Sequence, residues 1–397
     1  MKVLSSQVSS YMERSSWIRR MFEAGIEMKA KYGADAVCDF SLGNPDLPPP
    51  EIICQGLRDI ADTADQPFAF GYMPNSGYPA VRQRLAEIVS GEQGVEVSAD
   101  NLIITCGAAG AINAFFRAVL EPGDEIVCPA PYFVEYSFYV ENHGGTLRPV
   151  RSKALSFELD LDAIDKAISE KTRVVLINSP NNPTGQIYTA EELEKLASIL
   201  DKHNATRERP IYLLADEPYR FLAFGNADVP SVLPLYPYSV VVSSFSKNLS
   251  LAGARIGYAL VNPGMPGGAD LMAGLVLTNR ILGFVNAPAL AQKLLLKALG
   301  HSVDASVYDN RRNLMADILD EAGYSYALPR GAFYFFPEAP GGDDVAFCGL
   351  LQEEKILAVP GRGFGYPGFF RLAFCVGEEV IERSREGFAR AFKKAKG

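Results

Sequence analysis

The sequence predicts an α/β fold: a large domain with a mostly parallel central sheet covered by helices, and a smaller α+β domain built from both chain termini. Three observations carry this. Between residues 100 and 261, short apolar Val/Ile/Leu runs alternate with helical segments, the pattern of parallel strands buried on both faces. After about residue 290 that alternation stops, and a long helical region leads into a stretch of alternating polarity. At 397 residues, 48% of them hydrophobic, the chain is long enough to bury more than one core. The boundaries read as 45–290 for the large domain and 1–44 with 291–397 for the small one.

The elements follow in chain order. Residues 11–31 are amphipathic and end near Gly33, which predicts an N-terminal helix packed on the small domain. Gly43 to Pro50 is a proline-rich rigid loop, suited to a linker or to the wall of a site. Asn101–Thr105 is a strand, and Gly107-Ala108-Ala109-Gly110-Ala111 opens a helix that stops at Glu121-Pro122-Gly123-Asp124. Glu125–Cys128 and Arg173–Asn178 are strands, with a helix over Asp160–Ser169 between them. Thr189-Ala190-Glu191-Glu192 is a capping box that starts the next helix. Ile211–Ala215, Ser239–Ser243 and Arg255–Val261 complete the buried strands. Beyond them, 288–322 reads as helical, Tyr324–Phe336 as an antiparallel strand, Phe369–Cys375 as a strand and Glu378–Ala395 as a closing helix.

Composition narrows the function. The net charge of −9 comes with no basic run, which argues against nucleic acid as a partner. The six cysteines include no C-x-x-C pair, and most lie in apolar runs, so buried free thiols in a reducing cytoplasm are expected. No secretory signal and no bilayer-length apolar stretch is expected. The three histidines are scattered and offer neither a metal spacing nor a triad.

The chemistry concentrates in Ser243-Ser244-Phe245-Ser246-Lys247, with Arg255 close behind. A lysine leaving a buried strand among small residues suits an amine that forms a Schiff base with an aldehyde. The serines and the arginine suit a phosphate. Together they suggest pyridoxal phosphate (PLP). Ligands of open parallel sheets bind at the carboxyl ends of the strands. Three more segments fall there: the Gly107 loop, Asn178-Ser179-Pro180-Asn181-Asn182-Pro183-Thr184-Gly185, and Asp216-Glu217-Pro218-Tyr219. Each alone also reads as turn, cap or packing chemistry. Their joint position on one rim is the stronger signal.

The set Asn181-Asn182-Pro183-Thr184-Gly185, Asp216-x-x-Tyr219, Ser244-x-Ser246-Lys247, Arg255 and Arg371 resembles the class I/II aminotransferases of PLP fold type I, the aspartate aminotransferase-like superfamily. The resemblance covers essentially the whole chain. It implies an aminotransferase that moves an amino group between an L-amino acid and a 2-oxo acid by ping-pong chemistry. It further implies a homodimer with shared active sites. By the same resemblance Lys247 carries the cofactor and shuttles the proton, and Asp216 pairs with the pyridine nitrogen. Asn182 and Tyr219 donate to the ring oxygen. Ser244, Ser246, Arg255 and the backbone of Ala108 and Ala109 hold the phosphate. Phe133 stacks on the ring, with Tyr132 as the neighbouring alternative. Arg371, Asn182 and the Gly43-Asn44 backbone take the substrate carboxylate, and Tyr72 reaches the partner subunit's phosphate.

Two departures stand out. Ala108 and Ala109 replace the hydroxyl or lysine that family members often place in the phosphate loop. Arg280, the candidate for a second cation reading an acidic side chain, sits near but not clearly on the matching position, and a surface arginine is the plainer reading. Tyr11, Trp17 and Ile18 read as core, with the substrate pocket as the alternative. The same motifs serve a C–S β-lyase or a related α/β-elimination enzyme, and a synthase closing a ring on S-adenosylmethionine. A PLP-sensing transcription regulator is disfavoured, because the segment before residue 40 is short and not basic.

Overall fold

A computed structural model describes residues 3–14 and 17–397, without the side chains of residues 13, 14, 17–20 and 22. Twelve strands occur among these residues: β1 (Cys38–Asp39), β2 (Leu102–Thr105), β3 (Glu125–Ala130), β4 (Thr146–Arg151), β5 (Thr172–Asn178), β6 (Tyr212–Asp216), β7 (Ser239–Ser244), β8 (Gly257–Val261), β9 (Tyr334–Phe335), β10 (Ile356–Leu357), β11 (Val359–Pro360) and β12 (Phe370–Ala373). Seven of them form the central sheet in the order β2-β8-β7-β6-β5-β3-β4. β8 is antiparallel to both its neighbours, and the other pairs are parallel.

Successive strand residues point to opposite faces, and both faces are buried. Val127, Val175, Ile177, Leu213, Ala215 and Val241 pack under helices Pro79–Gln93, Ala190–Asn204 and Ala289–Ala298. Ile126, Val174, Leu176, Leu214, Val240 and Val242 pack under Gly107–Val119 and Gly268–Ile281. This explains why the strands read as continuous apolar runs. The capping box holds as well: Glu192 N–H donates to Thr189 Oγ1 (3.2 Å) and Thr189 N–H to Glu192 Oε2 (2.8 Å).

A second core gathers Cys38 and Phe40 with residues from Val303 to Ala391. β1 pairs in parallel with β10, which ties residues 38–39 to the C-terminal part of the chain. β11, β12 and β9 form a small antiparallel sheet. Ala291, Leu295 and Ala298, on the helix Ala289–Ala298, pack in the core under the central sheet.

Several expected elements are shorter or broken. The N-terminal helix is two helices, Ser6–Arg14 and Trp17–Tyr32. The 288–322 region breaks at Gly300, in the left-handed region at φ +93°, and restarts at Asp304, whose side chain caps Ser306 N–H. The closing helix divides at Ser384. Of Tyr324–Phe336 only β9 joins a ladder. The preceding backbone bonds elsewhere: Arg330 and Gly331 N–H donate to Gly185 O, and Ala332 N–H donates to Leu222 O. Those bonds fasten the segment to the loops that follow β5 and β6 at the rim of the central sheet.

Candidate active site

The parallel strands direct β5, β6 and β7 toward one rim. Because β8 runs the other way, the chain enters it from that same rim, which brings Arg255 beside the residues that follow β7. β2, antiparallel to β8, ends there too, so the helix Gly107–Val119 starts on this edge. The result is a cavity of about 280 Å³ lined by Gly43, Ala108, Ala109, Phe133, Asn182, Asp216, Tyr219, Ser244, Ser246, Lys247, Arg255 and Arg371, among others. Of the residues assigned roles at the site from the sequence, all but Asn44 and Tyr72 are in this wall.

Tyr72 is 96% exposed and lies away from the cavity of its own chain. Phe133 rather than Tyr132 faces the cavity; Tyr132 N–H donates to Phe364 O (3.1 Å) and its ring packs elsewhere. Arg280 is exposed on the helix Gly268–Ile281 and is absent from the wall. Tyr11 packs edge-on against Phe138, with centroids 5.0 Å apart. The side chains of Trp17 and Ile18 lie outside the described residues.

Close packing constrains the backbone of the rim. Gly107 has φ +73°, and a Cβ there would stand 3.0 Å from an Arg255 Nη. A Cβ on Gly257 would stand 2.4 Å from Ser243 O. The first-turn amides of the helix beginning at Gly107 have no intrahelical acceptor, so Ala108 and Ala109 bring free N–H groups to the wall.

Asp216 is buried at the end of β6. The Tyr136 hydroxyl donates to its Oδ2 (2.5 Å), while Oδ1 is buried with no partner. Burial pushes its carboxyl up to about 7, opposed by the Tyr136 hydrogen bond and helped by Glu217. Asn178 joins two of the motifs: its Nδ2 donates to Asp216 O (2.8 Å) and its Oδ1 accepts from Asn182 N–H (2.7 Å).

Lys247 Nζ donates to Gly43 O (2.6 Å). Burial lowers its amine to about 8, with Cys375 opposing that shift and Arg371 and Arg255 adding to it. Arg371, 2% exposed, donates from Nη1 to Asn182 Oδ1 (3.1 Å) and from Nη2 to Ser41 O (2.5 Å); its Nε has no partner. Tyr219 and Tyr334 share a hydroxyl–hydroxyl bond of 2.7 Å. Three cations against one carboxylate give the cavity a positive balance suited to anionic ligands. Among the described residues no His/Cys/Asp/Glu group could hold a metal ion.

Sequence reasoning missed Tyr136, Asn178 and Tyr334. Tyr136 lies one helical turn from Phe133, and Asn178 ends a strand already placed on the rim. Those were the available signals. Tyr334 had none, because its place depends on the second core docking against the rim.

Comparison with known proteins agrees with this geometry. Residues 35–387 match the family described as aminotransferase class I and II. The chain is 32% identical, over 93% of each protein, to a probable aspartate/prephenate aminotransferase of Aquifex aeolicus. Among solved structures it resembles an amino transferase from Eubacterium rectale, with TM-score 0.96 and 37% identity over 100% of both chains. It also resembles the aspartate aminotransferase of Thermus thermophilus with maleate, with TM-score 0.88 and 28% identity over 98% of this chain and 100% of that one.

Proposed function

Because this chain belongs to the class I and II aminotransferases, we propose that its cavity binds pyridoxal 5′-phosphate and that each residue on the rim serves that group or the amino acid brought to it. The observation that carries the reading is a buried, unpartnered carboxylate oxygen, Asp216 Oδ1, in the same wall as the desolvated amine of Lys247. An orphaned anionic acceptor is costly unless a cation completes it, and a protonated pyridine nitrogen does so. The remaining donors fit the rest of the cofactor. Ser244, Ser246, Arg255 and the amides of Ala108 and Ala109 suit its phosphate, Phe133 its ring face, and Asn182 with Tyr219 its ring oxygen.

PLP, when bound, supplies an aldehyde for the amino group and a ring that withdraws electrons from the substrate α-carbon. The protein does the rest. Arg371 and Asn182, with the Gly43 backbone, fix the α-carboxylate and so the α-carbon. Lys247, its amine lowered to about 8 by burial, takes the proton from that carbon and returns it at the cofactor side. Asp216 keeps the ring nitrogen protonated. One L-amino acid leaves as its 2-oxo acid before a second 2-oxo acid enters.

The exposed Tyr72, with Phe68 at 93% exposure nearby, supports a homodimer in which Tyr72 contacts the partner's phosphate. Two separate cores support the division into a large and a small domain. The six free cysteines support a reducing compartment, the cytoplasm. Among the described residues no helix is long and apolar enough to cross a membrane. Beyond Lys247, Arg255 and Arg371 no Lys or Arg among the described residues lines the cavity.

The test is an absorbance titration of the PLP-loaded protein with a panel of L-amino acids, followed by assay of the oxo acid. Bleaching of the visible band with stoichiometric oxo acid supports transamination, and the donors that bleach it define the substrate. Pyruvate, ammonia and sulfide from a cysteine-type donor, without bleaching, would show elimination chemistry instead.

A further inference from the structure

The hydroxyl of Tyr334 has no role in the scheme above, yet three parts of the site converge on this side chain. Tyr334 on β9 pairs with Ala373 of β12, which places Arg371, two residues along, on the same face. The Arg371 guanidinium carbon lies 4.9 Å from the Tyr334 ring centroid and 4.9 Å from that of Phe364. The Tyr334 hydroxyl bonds to the Tyr219 hydroxyl, and the two rings meet edge to face at 5.6 Å. A Cβ on Gly43 would stand only 2.0 Å from the Tyr334 hydroxyl oxygen. The Gly43 carbonyl, in turn, accepts from Lys247.

We propose that Tyr334 is a positioning residue whose ring orients the carboxylate-binding guanidinium of Arg371 and whose hydroxyl donates to Tyr219, directing the Tyr219 proton to the cofactor ring oxygen. The proposal rests on the PLP reading above. Two hydroxyls that share one bond leave one proton free to donate. A phenol that accepts a hydrogen bond becomes a better donor itself. Burial holds both phenols protonated, Tyr334 up to about 12 and Tyr219 well above its ordinary value, so the pair acts as a donor and not as a base. Phenylalanine at 334 would fill the same space and keep the ring against Arg371, so the two functions can be separated.

The experiment compares Tyr334→Phe, Tyr219→Phe, the double variant and Tyr334→Leu in the PLP-loaded protein. It reads the pH at which the visible band changes, and the affinity for propanoate, a carboxylate without an amino group. A donor at the ring oxygen favours the form that has lost its proton, so weakening the donor holds the proton to higher pH. Tyr334→Phe should move the change upward by about one pH unit, the scale of one hydrogen bond, and alter propanoate affinity by no more than about twofold. Tyr219→Phe should move it at least as far, and the double variant no further. Tyr334→Leu, which also loses the ring, should weaken propanoate binding about tenfold. If Tyr219→Phe moves the band and Tyr334→Phe does not, or if the two shifts add, this proposal falls while the PLP reading stands. A parent protein that takes up no PLP would overturn both.

Discussion

Replacing Asp216 with asparagine tests the charge at the end of β6 while keeping its shape, since the amide oxygen can still accept from Tyr136. Burial raises the Asp216 carboxyl from 3.8 to about 7 in the folded, cofactor-free protein. The unfolded chain loses this proton near the lower value and the folded chain near the higher one. Between the two the folded state binds more protons, so this group's contribution makes stability fall as pH rises through that window and level off above it. A separation of about three pH units, at about 1.4 kcal/mol each, sets the cost of the buried anion at about 4 kcal/mol by pH 8. Asparagine carries no such cost. Without PLP, Asp216→Asn should therefore gain on the parent by about 2 kcal/mol between pH 5.5 and 8, measured by urea unfolding at each pH. With PLP bound the advantage should shrink or invert, because a cationic ring nitrogen offsets the parent's carboxylate and not the amide. A gap that does not change with pH, or a cofactor-free parent that is the more stable at pH 8, would refute the reasoning.

Two further outcomes follow from the same site. The lowered amine of Lys247, near 8, makes uptake of PLP by the apoprotein faster as pH rises toward that value, because only the neutral amine attacks an aldehyde. Stopped-flow absorbance should find a rate at pH 6 about a hundredfold below the plateau, and Lys247→Ala should neither form that band nor turn over; a rate flat from pH 6 to 9 contradicts the assignment. Arg371→Ala leaves Asn182 Oδ1 without its donor and removes the carboxylate clamp, so steady-state kinetics should give a KM raised about a hundredfold for every amino donor alike; a rise confined to one donor would mean that Arg371 reads the side chain.

Much of the site was legible because each group stands next to a strand that can be read locally. Asn182, Asp216 and Lys247 follow β5, β6 and β7, and the apolar runs that mark those strands also mark their carboxyl ends. Ala108 and Ala109 were legible for the same reason after β2. Tyr136 and Asn178 were missed because their role is to hold Asp216 and Asn182, and a tyrosine or asparagine at an element boundary has many ordinary uses. The strand expected over Tyr324–Phe336 shrank to β9 because alternation records which residues are buried, not which backbone they bond. There the partners were Gly185 and Leu222, in the loops that follow β5 and β6.

By itself, then, the sequence determined six of the seven strands of the central sheet, its largely parallel character and most of the residues on its rim, since strand burial and turn chemistry are written within a few neighbouring positions; β4 was not read from it. Tertiary structure alone decided which way β8 runs and hence why Arg255 reaches the rim. It also decided that Phe133 rather than Tyr132 faces the cavity, and that Tyr334 stands between Arg371, Tyr219 and Gly43. The first is set by the pairing of β8 between β7 and β2; the last depends on the second core docking against the rim, and contacts between residues more than a hundred positions apart leave no periodic trace in the chain.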